Sequence, residues 1–600
     1  MFEIHHSLPW NAVTLQPGSL KKRAELNRAY MLSLKSSHLL QNHYGEAGLW
    51  NPPQQPTDCH GGWESPTSQL RGHFLGHWLS AAARLVASTG DTEIKGKADF
   101  IVAELARCQQ EMGGEWIGSI PEKYLDWIAR GKRVWAPQYT LHKTLMGLYD
   151  MYEIAQNEQA LDILIHWANW FHRWTGQFSR EQMDDILDVE TGGMLEVWAN
   201  LYGVTNRQEH LDLIRRYDRR RLFDRLLAGE DVLTYMHANT TIPEVHGAAR
   251  AWEVTGEQRW RDIVEAYWRL AVTDRGYFCT GGQTSDEMWC PPHQLGGQLG
   301  PENQEHCTVY NLMRLANYLF RWTGDVVYAD YYERNFYNGI LAQQNAQTGM
   351  VAYYLPLETG GAKVWGTPTN DFWCCHGTLV QAQASHTRDV YFTNDEGLVV
   401  SQYIPSRVQW HHDGSEVSVT LESKAHDVYA LKASRERPRQ TSHPEYTLSV
   451  NCEQPTEYTL TLRLPWWLAD EPTITINGER QRVPHTPSSY YRIRRTWHND
   501  KLTILLPKAL QIVPLPGASD MMAFMDGPIV LAGLCDDASM LYGSKDQPET
   551  LLASCHERQY AAWQPDSYET RNQPHTTRFL PLCDIRDERY TVYFPITERS

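Results

Sequence analysis

One short helix ending recurs along the first half of the chain and limits what that half can fold into. Glycine or asparagine can adopt the left-handed conformation that stops a helix after its last apolar turn. The same ending, repeated this often, predicts stacked helical hairpins that bury their apolar faces on one another. The five endings are Ser88-Thr89-Gly90-Asp91, Trp174-Thr175-Gly176-Gln177, Val204-Thr205-Asn206, Val254-Thr255-Gly256-Glu257 and Trp322-Thr323-Gly324-Asp325.

The segments around these endings, from about residue 20 to about residue 345, have the apolar spacing of amphipathic helices. A unit of about ten or more such helices is either an open solenoid or a closed double ring, the (α/α)6 barrel. Tryptophans and histidines in the connecting loops favour the barrel, because its loops meet around a central pocket. The clearest predicted helices cover residues 23–40, 73–86, 98–112, 140–154, 161–174, 260–272 and 309–322.

After about residue 388 the apolar period changes from helical spacing to strict alternation, which predicts strands. Turn residues such as Asn477-Gly478 separate the alternating segments, as in an antiparallel β-sandwich. The chain is therefore predicted to be a multidomain α+β protein, with an (α/α)6 barrel at 1–388, a β-sandwich at 389–510 and a small β-rich region at 511–600. The predicted strands cover residues 398–404, 416–421, 458–464, 473–476, 490–493, 502–506 and 528–532.

Charge and hydropathy exclude several classes of partner. The net charge of −17 argues against nucleic acid and against an anionic membrane surface. No apolar run approaches the length of about 18 residues that a membrane span needs. The segment 1–6 lacks the basic and apolar regions of a signal peptide, so we expect a cytoplasmic protein that acts on small imported oligosaccharides. Its eleven cysteines are then expected to be thiols.

Three of those cysteines and one glutamate form a candidate metal site. Glu305, Cys307, Cys374 and Cys375 would offer the four ligands that zinc prefers. Adjacent cysteines cannot point the same way in a regular strand, so joint ligation by Cys374 and Cys375 predicts a turn at 376–378. The alternative is that these are ordinary buried cysteines. Spacing alone does not separate a structural metal site from a catalytic one.

An acidic loop provides a candidate for proton transfer. Asp286 and Glu287 end the Gly-rich segment 280–287, and Trp289 follows them. A glutamate held against an aromatic ring can have a raised pKa and act as a general acid. Most such loop acids are simply solvated, and the sequence leaves both interpretations open.

Several further side chains fall where barrel helices are predicted to begin, and we expect them to line a pocket. His73 and His77 share a helix face because they are four residues apart. Taken singly, each histidine is more often a hydrogen-bonded structural residue. The full group is Trp63, His73, His77, His142, Glu196 and His237.

Together these segments resemble the bacterial β-L-arabinofuranosidases of glycoside hydrolase family 127 and the related family 146. The resemblance covers most of residues 60–380 and implies a catalytic (α/α)6 barrel, β-sandwich regions after it, and hydrolysis with retention of configuration. The segments that carry it are Gly72-His73-Phe74-Leu75-Gly76-His77, Tyr139-Thr140-Leu141-His142-Lys143, Gly192-Gly193-Met194-Leu195-Glu196, His237-Ala238-Asn239, Thr280-Gly281-Gly282 with Glu287, Glu305-His306-Cys307 and Trp373-Cys374-Cys375.

The resemblance also implies roles for individual residues. Cys374 would be the nucleophile and Glu287 the general acid/base, while His142, His237 and Tyr353 would contact the sugar. The implied cofactor is one zinc ion, Zn2+, and the implied substrate is a terminal β-L-arabinofuranoside of a small arabinose-containing oligosaccharide. The four zinc ligands would be Glu305, Cys307, Cys374 and Cys375.

Three other interpretations stay open. The chain could be a glycosidase of the same family that acts on another sugar, including an acidic one, since the segment Gly377-Thr378-Leu379 departs from the family pattern. It could be a non-catalytic carbohydrate-binding protein with a structural zinc. It could be an epimerase or lyase that uses histidines. A homodimer is compatible with the sequence, which does not fix the oligomeric state.

Overall fold

The computed structural model of the chain describes residues 3–49, 58–423, 443–554 and 567–598. Residues 1 and 2, part of the segment used above for the signal-peptide prediction, lie outside the described residues. The described helices are α1 (Ser19–Ser33), α2 (Ser36–Leu39), α3 (Gln41–Glu46), α4 (His73–Thr89), α5 (Thr92–Glu111), α6 (Lys123–Ala129), α7 (Pro137–Glu153), α8 (Glu158–Thr175), α9 (Arg180–Leu187), α10 (Met194–Thr205), α11 (Gln208–Arg216), α12 (Arg220–Leu227), α13 (Ala238–Thr255), α14 (Gln258–Trp268), α15 (His306–Thr323), α16 (Val326–Asn335) and α17 (Cys374–Gln383).

Six of these helices form a closed inner ring. In order around the ring, α4, α7, α10, α13, α15 and α17 each pack against the next, and α17 packs against α4. Each inner helix also packs against one outer helix, drawn from α5, α8, α11, α14, α16 and α1. The predicted (α/α)6 barrel is thereby confirmed, and the open solenoid is excluded for the described residues.

The recurrent helix endings behave as predicted at four of the five positions. Gly90, Asn206, Gly256 and Gly324 are left-handed, with φ between 50° and 71°. Gly176 is the exception and stays right-handed at φ −66°. The threonine before each ending donates its hydroxyl to the carbonyl four residues earlier, which satisfies one terminal acceptor of the helix.

The β region contains two large sheets. Their strands are β1 (His6–Ser7), β2 (Val13–Leu15), β5 (Tyr391–Asn394), β6 (Gly397–Val400), β7 (Ser406–His412), β8 (Ser415–Ser423), β9 (Glu445–Leu464), β10 (Thr473–Ile476), β11 (Glu479–Arg480) and β12 (Ser489–Leu505) in the first, and β13 (Leu510–Leu515), β14 (Ala518–Asp526), β15 (Ile529–Gly533), β16 (Leu541–Tyr542), β17 (Leu552–Ser554), β18 (Tyr568–Thr570), β19 (Arg578–Pro581) and β20 (Phe594–Thr597) in the second. A small hairpin in the helical region supplies β3 (Thr284–Ser285) and β4 (Met288–Trp289).

The pair β9 and β12 runs through the middle of the first sheet. Its register shifts between Trp497 and Asn499, and on either side β9 takes a different outer neighbour, β8 on one side and the parallel strand β6 on the other. Side chains from the strands on both sides of this irregularity share one core, including Val419 on β8 and Leu460 on β9. The predicted separate strands at 490–493 and 502–506 are therefore wrong: they are two parts of β12.

The N-terminus belongs to this β region and not to the barrel alone. β1 pairs with β5, and β2 pairs with β7, so the chain starts on the first sheet before entering the ring. The predicted domain boundaries stay predictions. Among the described residues, none of the helices has both the length and the apolar character that crossing a bilayer requires.

Candidate active site

All six inner helices begin at one cavity of about 400 Å³. The positive ends of the helix dipoles therefore converge there, which favours negative charge on the side chains that line it. Each helix contributes from its first turn or from the residues just before it. One lining residue from each is Leu70 at α4, Tyr139 in α7, Glu190 before α10, Asn239 in α13, Glu305 at the start of α15 and Cys374 in α17.

The four candidate metal ligands lie on two neighbouring inner helices. Glu305 is the residue before α15, and Cys307 lies in the first turn of that helix. Cys374 and Cys375 are the first two residues of α17. The predicted turn at 376–378 is wrong, because these residues continue the helix. The two adjacent sulfurs still approach one site because both belong to a first helical turn that faces Cys307.

The spacing of the ligand atoms fits zinc. Tetrahedral zinc, with bonds of about 2.3 Å to sulfur and about 2.1 Å to oxygen, places two sulfurs about 3.8 Å apart and sulfur and oxygen about 3.6 Å apart. Cys375 Sγ lies 3.5 Å from Cys307 Sγ and 3.8 Å from Cys374 Sγ, and Cys374 Sγ lies 3.6 Å from Glu305 Oε1. All four ligand atoms lie within 4.8 Å of one another.

Burial and mutual charge decide the protonation of this cluster. Burial raises the pKa of Glu305, Cys307 and Cys375 well above their ordinary values. Burial acts the same way on Cys374, but its hydrogen-bond contacts with Cys307, Cys375 and Tyr353 outweigh burial and lower the pKa of that thiol well below its usual range. Of the four groups, Cys374 is thus the one whose surroundings favour the anionic form. A divalent cation would stabilise the anionic form of the other three ligands as well.

Glu287 is held by three side chains at the wall of the same cavity. Its Oε1 accepts hydrogen bonds from the hydroxyls of Tyr353 and Tyr354, the latter at 3.0 Å, and its Oε2 lies 3.2 Å from His237 Nε2. Glu287 has a left-handed backbone, φ 65°, between β3 and β4. Its neighbour Asp286 is exposed, so geometry singles out Glu287 from the acidic loop.

The pair of Glu287 and His237 holds a proton between them. Burial raises the pKa of Glu287, but hydrogen bonds from His237 and Tyr353 outweigh it and lower the pKa below its usual value. Burial lowers the pKa of His237, but the bond to Glu287 and the nearby carboxylates of Glu305 and Glu190 raise it to about 9. His237 Nε2 is the ring nitrogen that faces Glu287, whereas Nδ1 faces Thr240, whose backbone nitrogen lies 3.1 Å away.

The hydroxyl of Tyr353 connects the two reactive candidates. It donates to Glu287, and its oxygen lies 3.5 Å from Cys374 Sγ. Cys374 and Glu287 both line the cavity, whereas Cys307 and Cys375 do not. Of the three cysteines, therefore, Cys374 is the one whose sulfur a molecule in this cavity can contact.

Three predicted histidines lie beneath the cavity and not in its lining. His73 pairs with buried Glu64 at 2.8 Å, and His77 Nδ1 lies 2.8 Å from Gln381 Oε1. Both ring nitrogens of His142 are buried without a hydrogen-bond partner among the described residues. A Cβ on Gly193 would lie 2.6 Å from the His142 ring, which explains the glycine at that position. Contact of these histidines with a sugar stays a prediction.

The structure does not bring Glu196 to this cavity. Its carboxylate pairs with Arg314 at 2.6 Å and accepts the Tyr318 hydroxyl at 3.1 Å. These groups border a different cavity of about 470 Å³, whose lining also includes Arg84, Tyr149 and Glu253 from the C-terminal halves of α4, α7 and α13. Three other predicted pocket residues, Trp63, His237 and Tyr353, do line the cavity that contains Cys374.

Sequence reasoning did not single out several residues that share this cavity. Asn239 was part of the quoted segment His237-Ala238-Asn239 but had no role assigned, and Glu190 lies two residues before the quoted Gly192, so position near a motif was the available signal. Trp135 had a weaker signal, namely its position just before a helix that begins with proline. Its ring is exposed.

Comparisons with known proteins agree with this architecture. Residues 12–388 match the β-L-arabinofuranosidase GH127 catalytic domain, and residues 397–508 match the GH127 middle domain. A non-reducing end β-L-arabinofuranosidase from Bifidobacterium longum subsp. longum is 22% identical over 473 residues, which are 67% of this chain and 65% of that relative. The alignment thus spans just under two thirds of the relative's length.

Solved structures share the whole fold. A GH127 β-L-arabinofuranosidase from Geobacillus stearothermophilus T6 superposes with a TM-score of 0.71 at 20% identity, covering 98% of this chain and 100% of that one. A second GH127 β-arabinofuranosidase superposes with a TM-score of 0.74 at 16% identity, covering 99% and 98%. With its catalytic and middle domains both matched, the chain belongs to glycoside hydrolase family 127.

Proposed function

We propose that this chain is a retaining glycosidase that removes terminal β-L-arabinofuranose units from small oligosaccharides. The observation that carries the proposal is the shared cavity of Cys374 and Glu287, linked by the Tyr353 hydroxyl. A nucleophile and an acid/base on one cavity wall are what double displacement requires. Family membership and the names of the relatives support the sugar.

In the first step, Cys374 Sγ attacks the anomeric carbon and Glu287 protonates the departing glycosidic oxygen. The proton comes from the pair that Glu287 forms with His237. A thioglycosyl bond to Cys374 forms as the glycosidic bond breaks. In the second step, Glu287 removes a proton from water, which displaces Cys374 from the sugar. Two inversions leave the configuration at the anomeric carbon unchanged.

Glu305, Cys307, Cys374 and Cys375 would hold the zinc ion. Bound there, zinc keeps the cysteines deprotonated at neutral pH and restricts the direction of the Cys374 sulfur. Two features of the protein would act on the Cys374 sulfur in addition to the metal. They are the positive ends of the six helix dipoles and the Tyr353 hydroxyl, which lies 3.5 Å from that sulfur.

The cavity argues against the alternative of an acidic sugar. Its described lining contains Glu190, Glu287 and Glu305 but neither lysine nor arginine, and its one histidine, His237, already pairs with Glu287, so a sugar carboxylate would meet three acids. A purely structural zinc would not need one ligand at the cavity wall. A lyase or epimerase that uses His73, His77 and His142 is disfavoured, because all three lie beneath the lining.

A cytoplasmic location and an oligosaccharide substrate belong to the same proposal. The ten described cysteines are all free, which is typical of proteins in a reducing compartment. A pool of small imported sugars is the source of substrate that this location would provide.

The test uses two variants and two substrates, p-nitrophenyl and methyl β-L-arabinofuranoside. We expect Cys374→Ser to lower kcat at least about a thousandfold on both. Glu287→Gln should lower the rate of glycosidic bond cleavage more for the methyl glycoside, because methanol needs protonation to leave and nitrophenolate does not. In methanol, the wild type should yield the β-configured methyl glycoside. Full activity of Cys374→Ser, or an α-configured product, would contradict the proposal.

A further inference from the structure

An exposed tryptophan stands at the outer edge of the cavity that contains Cys374. Among the described large apolar side chains that are exposed, Trp135 is the only one that lines this cavity. Half of its surface, 51%, is accessible to solvent. Single exposed apolar side chains are common, but an exposed indole ring in the lining of a cavity offers a flat apolar surface to a molecule bound there.

Trp135 is the outermost member of a wall of aromatic rings that leads to the reacting groups. Its ring lies 5.2 Å from that of Trp63, which lies 6.4 Å from that of Tyr353. Tyr353 in turn contacts Glu287 and Cys374. The rings become more exposed outward, from half-buried Tyr353 and Trp63 to Trp135. The wall therefore continues past the sugar that reacts and toward solvent.

The backbone around Trp135 holds the ring in place. Its N–H donates to Gln69 Oε1 at 2.7 Å, the next residue, Ala136, is left-handed at φ 45°, and Pro137 then begins α7. The rings of Trp63 and Trp135 are 72° apart, an edge-to-face arrangement. Since such a contact covers at most one face of each ring, at least one face of Trp135 is free of Trp63.

We propose that Trp135, supported by Trp63, binds the sugar unit on the leaving-group side of the cleaved bond. Sugar rings have apolar C–H faces that pack flat on an indole ring. The preferred substrate is then an oligosaccharide whose leaving group is itself a sugar, and not the glycoside of a small alcohol. This inference depends on the proposed function for the inner part of the cavity.

The test compares a disaccharide of two L-arabinofuranose units joined by a β linkage with methyl β-L-arabinofuranoside. Trp135→Ala should lower kcat/KM for the disaccharide about tenfold, the value of one stacking contact, and for the methyl glycoside less than threefold. Trp135→Tyr keeps a flat ring and should restore most of the disaccharide activity. Phe100→Ala removes a ring that is equally exposed, at 50%, on the outer helix α5, and should change neither value.

Equal losses on the two substrates in Trp135→Ala, or no loss on either, would overturn the inference while leaving the proposed function intact. A wild-type chain that cleaves neither substrate would contradict the proposed function. In that case calorimetry on the wild type and Trp135→Ala decides the inference separately. Tighter binding of the disaccharide by the wild type alone supports it, and equal binding by both chains overturns it.

Discussion

Cys374 and Cys375 are adjacent in sequence but have different surroundings. Cys374 is 5% exposed and lines the cavity, whereas Cys375 is fully enclosed. The Cys375 sulfur contacts Cys307 Sγ at 3.5 Å and the Tyr353 carbonyl at 3.8 Å. Successive side chains of a helix point about 100° apart, so only one of two neighbours in the first turn of α17 can face the cavity. The nucleophile and the inner ligands thus have separate roles within one cluster.

Loss of an inner ligand should remove metal and activity together. We expect Cys307→Ser to lower the zinc content per chain and the hydrolysis of p-nitrophenyl β-L-arabinofuranoside, because a serine hydroxyl is a far weaker zinc ligand than a thiolate. Cys108→Ala is the control, since Cys108 is equally buried but belongs to the outer helix α5. Metal analysis of purified chains provides the measurement. Full zinc occupancy in Cys307→Ser would contradict the four-ligand site.

At the scale of elements, α17 closes the barrel and also carries the nucleophile. It approaches α4 closely where Gly377 faces the His77 ring. A Cβ on Gly377 would lie 2.1 Å from that ring, a distance that real contacts do not allow. The ring cannot swing away freely, because its Nδ1 lies at hydrogen-bond distance, 2.8 Å, from Gln381 on the next turn of α17. Glycine is therefore required here for close approach.

Gly377→Ala should destabilise the protein by about 1–3 kcal/mol through overpacking between α17 and α4. It should also lower activity, because Cys374 and Cys375 lie on the same helix. Gly96→Ala is the matched control: Gly96 lies inside α5, where an added Cβ would meet no neighbouring element within 4 Å. That change should be neutral or stabilising by about 0.4–1 kcal/mol. Denaturant unfolding measures both, and equal stability of the two variants would exclude the close-approach argument.

Local patterns predicted the elements of the barrel well. The predicted helix at 140–154 corresponds to α7, and that at 309–322 to α15, because the period of 3.6 and, in α15, the Thr-Gly ending are properties of the local sequence. The sequence also indicated the four-ligand cluster. It did not show which sulfur faces the cavity, since that depends on how α17 is oriented in the ring.

Pairings between distant segments could not be predicted from local patterns. The contact of β1 with β5 joins residues near the N-terminus to residues almost four hundred positions later. The two halves of β12 resemble separate strands in sequence, because the irregularity at Trp497 interrupts the alternation. Glu196 is a further case: its place in a helix was clear, but its salt bridge with Arg314 at the far cavity required the tertiary structure.

At the scale of the whole molecule, one buried arginine joins the β region to the barrel. Arg463, near the end of β9, is fully buried and pairs with Asp330 at 2.5 Å and Glu333 at 2.7 Å, both on the outer helix α16. Trp467 Nε1 also donates to Glu333 at 2.9 Å. This ion-pair network lies where the first sheet packs on the helical ring, so it couples the stability of the two regions.

Arg463→Ala should destabilise the protein by about 3–5 kcal/mol, because it leaves two buried carboxylates without their cation. Arg492→Ala is the matched control on the same sheet. Arg492 pairs with Glu396 at 3.5 Å, and both side chains are more than half exposed, so we expect a loss under about 1 kcal/mol. Unfolding followed by circular dichroism compares the variants. If Arg463→Ala unfolds at the same denaturant concentration as Arg492→Ala, the buried network does not join the two regions. If it unfolds much earlier, with helical and β signals lost together, α16 and β9 act as one cooperative contact between barrel and sheet.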